Sequence, residues 1–250
     1  MTDAKLAGKT AIVTGAANGM GRAVALAYAA QGANVFAVDI DEDALSDLPR
    51  SAAFATFVAA VDSEAEVRGA VDSCVSQFGG IDVVYNNAGV YLRGRGDTVT
   101  HELELDVWNR VMSVNLTSAF LVSKYALPHM MGAGGSIINI ASVGGMVASD
   151  CHAYSASKGA LMALTRSQAN SYGRYGIRVN AIAPGVVDTG MAAPVTGDAA
   201  VADRYRASTP LGRFARTDDI VGLAIFLASD DSAYMTGTSL PVDGGLVIRP

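Results

Sequence analysis

The sequence predicts an α/β fold, a doubly wound parallel sheet with helices on both faces. Short β-branched runs alternate with longer stretches of helical periodicity, and no linker or low-complexity segment divides the 250 residues. Alternation of that kind argues for a parallel sheet covered on both sides, and right-handed crossovers make double winding the simplest path. The strands read, in order, as 10–14, 34–39, 55–61, 81–86, 136–141, 178–183 and an edge strand at 238–242. Helical patterns fill residues 22–31, 63–78, 106–131, 153–172 and 217–227. One domain is expected over 1–250, with residues 190–209 as a substrate flap, because that stretch breaks the rhythm with small and charged residues between Pro194 and Pro210. Long insertions in compact α/β domains are commonly lids or binding loops.

Composition narrows the partners. Eighteen Lys and Arg against 24 Asp and Glu give a net charge of −6. A mildly acidic chain without basic runs is a poor match for nucleic acid. No run of eighteen apolar residues predicts a membrane span, and Met1-Thr2-Asp3-Ala4-Lys5 has no apolar signal core. Only Cys74 and Cys151 occur. They support neither a disulfide framework nor a zinc motif, so a cytoplasmic location is expected. His101, His129 and His152 lack metal-ligand spacing, and no metal is expected.

The first strand runs into Thr14-Gly15-Ala16-Ala17-Asn18-Gly19-Met20-Gly21, followed by a helix. Glycines there let the backbone approach a pyrophosphate, and a helix N-terminus offers free N–H groups and a positive dipole end. The spacing is Gly-x3-Gly-x-Gly, not the common G-x-G-x-x-G. Asp39 ends the second strand, where a carboxylate can bind both ribose hydroxyls of a dinucleotide and repel an added phosphate. Neither Asn18 nor Ile40 brings a cation for that phosphate, so NAD is the expected cofactor. Asp39 could instead cap a helix. Asp62 could reach the adenine or cap the helix beginning near Ser63, itself a candidate cofactor contact. Asn86-Asn87-Ala88-Gly89 closes the fourth strand with small residues and amides suited to a bound nucleotide, although such turns also arise locally.

Chemistry points to Ser142, just past the fifth strand, and to Tyr154 and Lys158, four apart on one helix face. With nine tyrosines and four lysines, chance supplies roughly 0.14 such pairs. A free phenol titrates near 10, and a neighbouring ammonium stabilises its phenolate. Bringing it to about 7 takes roughly 4 kcal/mol, at ~1.4 per unit. Ser142 would hold a substrate oxygen beside the phenol. Asn115 lies inside the long 106–131 helix, where Asn is a mediocre residue; it could hold a kink and a water leading from Lys158 to solvent. The bland alternative is a tolerated polar residue.

Together these motifs resemble the short-chain dehydrogenase/reductase family over essentially the whole chain. They are Thr14-Gly-x3-Gly-x-Gly21, Asp39, Asp62, Asn86-Asn87-Ala88-Gly89, Asn115, Ser142, Tyr154-x3-Lys158, Pro184-Gly185 with Thr189, and Asp243-Gly244-Gly245. The resemblance implies a Rossmann-type three-layer α/β/α fold with strand order 3-2-1-4-5-6-7. It implies Tyr154 as acid/base, Lys158 on the nicotinamide ribose, Ser142 on the substrate oxygen and Asn115 in a proton relay. Thr189 and Val187 would lie near the carboxamide. It also implies a homotetramer, and Ala156, Gly159, Ala160 and Ala163 are small enough for helices to meet closely.

The expected activity is therefore NAD(H)-dependent interconversion of a secondary alcohol and a ketone, the substrate being small, cyclic or steroid-like. Gly144, His152 and Met191 are candidate pocket residues beside Ser142 and Tyr154. A 3-oxoacyl thioester reductase is the main rival, and Asp39 counts against it because those enzymes usually look NADP-linked. A non-catalytic dinucleotide sensor would need no Asn115–Ser142–Tyr154–Lys158 set. A sugar-nucleotide epimerase shares the Tyr-x3-Lys pair but usually carries a longer substrate domain. A hydrolase reading of Ser142 with Asp150 and His152 fails because no G-x-S-x-G elbow surrounds the serine.

Overall fold

The structure, a computed structural model, describes residues 4–248; residues 1–3, most of the stretch read for a signal core, lie outside it. Seven parallel strands form one sheet in the order 3-2-1-4-5-6-7. They are β1 (Thr10–Thr14), β2 (Asn34–Asp39), β3 (Phe54–Val58), β4 (Val83–Asn86), β5 (Gly135–Ile140), β6 (Ile177–Pro184) and β7 (Ser239–Val242). The helices are α1 (Gly19–Ala30), α2 (Glu42–Ser46), α3 (Glu64–Phe78), α4 (Leu105–Met112), α5 (Ser118–Met130), α6 (His152–Tyr172), α7 (Ala193–Thr196), α8 (Ala199–Ser208) and α9 (Asp218–Ala228).

Strand alternation separates the core into two layers. Ala11 and Val13 of β1 face one side with Val35, Ala37, Tyr85 and Ile138, covered by Val24 and Tyr28 of α1 and Ile220 and Leu227 of α9. Ile12, Phe36, Val84 and Ile137 face the other, covered by Val67 and Val71 of α3 and Leu121, Val122 and Met130 of α5. Nearly all these side chains are buried on a sheet covered on both faces, which is why the strands read as continuous apolar runs. The Tyr28 hydroxyl, buried in the first layer, donates to Ala224 O at 3.0 Å and so ties α1 to α9.

Several boundaries shift. α1 starts at Gly19, three residues before its periodic run, because the glycine turn itself forms the first helical turn. The 106–131 helix is interrupted: a π-helical segment, Ser113–Thr117, separates α4 from α5, with Asn115 at its centre. The expected flap at 190–209 is helical, a 3-10 turn at Gly190–Ala192 followed by α7 and α8. Val195 and Ala202 are buried there, and Asp198 caps α8 by accepting from the N–H groups of Ala200 and Val201. Pro194 sits in the first turn of α7, where a missing N–H costs nothing, and Pro210 follows the end of α8.

A parallel sheet places the C-terminal ends of all its strands together. The order reverses between β1 and β4, and ligands of open α/β sheets bind in the crevice at such a point. Among the described residues no helix is long and apolar enough to cross a membrane.

Candidate active site

A cavity of about 830 Å³ opens at that reversal, running from the β1–α1 turn past Asp39 to Tyr154 and on to Met191. Its first wall is the glycine turn. Gly21 cannot carry a side chain, since a Cβ would lie 1.9 Å from Gly15 O. Gly15 and Gly19 adopt positive φ, +62° and +55°, a conformation glycine reaches without strain. No side chain caps α1, so its first N–H groups are open to an anion.

Asp39 does not cap a helix; Asp41 does, accepting from Ala44 N at 3.0 Å. Asp39 instead accepts from Ala17 N at 2.9 Å and from Asp41 N at 3.1 Å, which holds its carboxylate at the rim of the cavity. Asp62 caps no helix either. Its Oδ2 pairs with the Arg110 guanidinium at 2.6 Å, and both residues line the cavity end beyond Asp39. Asn87 donates to the carbonyls of Thr14 and Gly15, so its amide fastens β4 to the glycine turn.

The chemical groups meet at the opposite end. Ser142 leaves β5 and accepts from Gly144 N at 3.0 Å, opening a short 3-10 turn, Val143–Gly145. Gly145 presses that turn onto α6, where a Cβ would sit 2.6 Å from Gly159 N. Close approach there brings Ser142 and Gly144 against the Tyr154 ring: a Cβ on Gly144 would lie 3.3 Å from Tyr154 Cε1 and 3.4 Å from Ser142 Oγ. Burial pushes the Tyr154 phenol up, with the Ser142 hydrogen bond acting in the other direction. Lys158 donates to Ile140 O at 2.7 Å, with Nζ 5.7 Å from the Tyr154 ring centre, and burial lowers its pKa to about 8. The expected depression of the phenol by this ammonium is thus not what dominates here; desolvation outweighs it.

Asn115 takes the kinked position expected of it. Its Oδ1 accepts from Val90 N at 2.7 Å, and its Nδ2 donates to Val90 O and to Ser157 Oγ. Ser157 in turn donates to Tyr154 O at 2.7 Å. The π segment therefore braces the β4 loop against α6.

A family model described as enoyl-(acyl carrier protein) reductase matches residues 15–247. The chain belongs to the short-chain dehydrogenase/reductase family. Among its relatives is the trans-4-hydroxycyclohexanecarboxylate dehydrogenase of Sinomonas cyclohexanicum, 40% identical over 96% of this chain and 93% of that one. The D-threitol dehydrogenase of Mycolicibacterium smegmatis is 38% identical over 99% and 96%. A crystal structure of a gluconate 5-dehydrogenase from Burkholderia cenocepacia, in complex with NADP and tartrate, superposes with a TM-score of 0.93 at 35% identity, covering 99% of this chain and 98% of the other. Membership makes the chain an oxidoreductase of alcohol groups that uses a nicotinamide dinucleotide.

Most residues singled out in the sequence line this one cavity, including Asn18, Met20, Ile40, Ala88, Gly89, Pro184, Gly185, Val187, Thr189, Gly144 and Met191. Three do not. Gly21 packs behind Gly15, Ser63 is the residue before α3, and the His152 ring hydrogen-bonds Thr100 Oγ1 at 2.8 Å, away from the cavity. Sequence reasoning missed Tyr91, Asp97 and Tyr205. Tyr91, two residues past the Asn86–Gly89 turn, sits edge-on to Tyr154 with ring centres 4.8 Å apart; its place just beyond a parallel strand was the available signal. Buried Asp97 accepts from Ala153 N at 3.0 Å and Tyr154 N at 2.9 Å, capping α6 from 57 residues upstream. No local pattern announces a cap at that distance.

Proposed function

We propose that this chain is an NAD(H)-dependent dehydrogenase that interconverts a small secondary alcohol and its ketone. The observation that carries this reading is Ser142, Tyr154 and Lys158 converging at the far end of a cavity whose near end holds the uncapped α1 terminus and Asp39. Gly15, Asn18, Gly19 and Met20 would hold the pyrophosphate, Asp39 the adenosine ribose, and Lys158 the nicotinamide ribose. Bound there, the nicotinamide ring supplies the hydride acceptor or donor. Ser142 holds the substrate oxygen, and Tyr154 Oη takes the proton from that oxygen in oxidation and returns it in reduction. Lys158, buried beside the phenol, favours the phenolate during oxidation. Asn115 keeps α6 in register with the β4 loop and belongs to the proton path to solvent.

The substrate end is lined largely by apolar side chains, Val143, Val147, Met191 and Val195. That suits a neutral, compact alcohol; the hydroxycyclohexanecarboxylate and threitol named for two relatives are of similar size. A homotetramer is part of the same reading. The reading is tested by following NADH absorbance across a panel of acyclic and alicyclic secondary alcohols, ketones and one 3-oxoacyl thioester. Turnover of the thioester alone would overturn it. Asp39→Ala with Ile40→Arg is expected to move kcat/KM from NAD towards NADP by at least roughly tenfold, the effect of one lost charge-assisted contact and one gained. Unchanged discrimination in steady-state kinetics would remove the role given to Asp39.

A further inference from the structure

Tyr91 faces the substrate end of the cavity, yet the chemistry above makes no use of it. Its ring rests edge-on against Tyr154, and both side chains line the same cavity. Two donors converge on that hydroxyl. Cys151 Sγ lies 3.8 Å away, and the Arg93 guanidinium is close enough to act on it. Guanidinium can only donate, and burial pushes the Cys151 thiol up, so that it remains S–H. A hydroxyl that accepts twice still has its own proton to give. Burial also pushes the Tyr91 phenol up, so that proton is retained. The groups that act on Arg93 here are the phenols of Tyr91 and Tyr205 and the Cys151 thiol, with no carboxylate among them. Tyr205, on α8, lines the same part of the cavity. A phenol that accepts from a cation becomes a stronger donor.

We propose that Tyr91, backed by Arg93, is a second substrate anchor whose O–H donates to an oxygen on the carbon next to the reacting carbon, so that the preferred substrates are vicinal diols and the matching hydroxy ketones rather than simple alcohols. This rests on the reading that Tyr154 holds the reacting oxygen. A site built to hydrogen-bond a substrate oxygen discriminates against the analogue that lacks it, because its buried polar group is then left unpaired.

The test compares cyclohexanol with trans-1,2-cyclohexanediol in the parent, Tyr91→Phe and Arg93→Met proteins. Phenylalanine keeps the ring against Tyr154 and removes only the hydroxyl. The parent should favour the diol, and Tyr91→Phe should lower the diol-to-cyclohexanol ratio of kcat/KM by roughly tenfold, the loss of one good hydrogen bond. Arg93→Met should lower it by a smaller factor. A Tyr91→Phe ratio within about twofold of the parent, less than a typical hydrogen bond supplies, overturns the anchor while leaving the dehydrogenase reading intact. If the parent oxidises neither alcohol, turnover of the wider panel decides the dehydrogenase reading. The anchor is then read from calorimetric binding of the two compounds to the NAD-loaded protein, where Tyr91→Phe must weaken the diol selectively and an equal loss for both refutes it.

Discussion

At the scale of single residues the site holds two titratable groups pushed in opposite directions by the same burial. Tyr154 is held in its neutral form and Lys158 is drawn down towards neutrality. A phenol kept protonated is ready to deliver a proton in ketone reduction, whereas oxidation needs the phenolate. The oxidation rate should therefore rise with pH through the alkaline range while the reduction rate falls, as pH–rate profiles in both directions will show. Tyr154→Phe should lower kcat by roughly 10²–10⁴, the usual share of a general acid/base, with NADH affinity by fluorescence nearly unchanged. Turnover within tenfold of the parent would refute the assignment. Lys158 carries a stability consequence. Its folded pKa of about 8 lies below the ordinary 10.5, so the unfolded chain binds the extra proton and the folded state is penalised at every pH below about 8. The penalty fades between about 8 and 10.5. Lys158→Met should thus be inactive yet more stable at pH 7, on the order of 1 kcal/mol once the lost Ile140 hydrogen bond is set against desolvation. Melting temperatures should converge with the parent as pH rises through that window. A gap that widens instead would sink the argument.

At the scale of elements, position is what the catalytic helix needs, and three contacts supply it. Gly145 lets the Ser142 turn lie directly on α6, Asn115 braces it through Ser157, and Asp97 holds the N–H groups of its first turn. The last contact aligns a negative charge with the positive end of a 21-residue helix. Asp97→Ala should cost about 1–2 kcal/mol of stability, as lost caps do, and lower kcat more than it changes KM for NADH, since the cofactor turn is on other elements. Asp97→Asn, which keeps an acceptor oxygen, should recover part of the kcat. Equal turnover in Asp97→Ala and parent would show that the cap only stabilises. The Tyr154–Lys158 pair and the Asp97 cap mark what sequence reading could and could not see. The Tyr154–Lys158 pair is legible because helical geometry fixes neighbours four apart. Asp97 is not, because its partners are chosen by the path of a loop between Val90 and Leu105.

At the scale of the whole molecule, α5 and α6 each carry exposed side chains. Phe120 on α5 is 47% exposed and Ala163 on α6 is exposed, while Ala156 and Ala160 are small and only partly buried. A tetramer built on these helices should fall to a smaller species in Ala163→Asp, which would place a desolvated charge in the contact. Sedimentation of parent and variant checks this, and a monomeric parent would remove the tetramer from the reading.

By itself the sequence determined the alternation of strands and helices, the glycine turn, the carboxylate at the end of β2 and the Tyr154–Lys158 spacing. Each depends on residues near one another along the chain, where backbone geometry alone dictates who meets whom. Other expectations were settled only in three dimensions. Asp62 pairs with Arg110 instead of capping a helix, His152 turns to Thr100, and residues 190–209 take helical form in α7 and α8. In each, local propensity left several outcomes of similar energy, and a distant partner decided between them. The strand order, the Tyr91–Tyr154 contact and the Asp97 cap are likewise tertiary, because packing a sheet brings together segments that no sequence window contains.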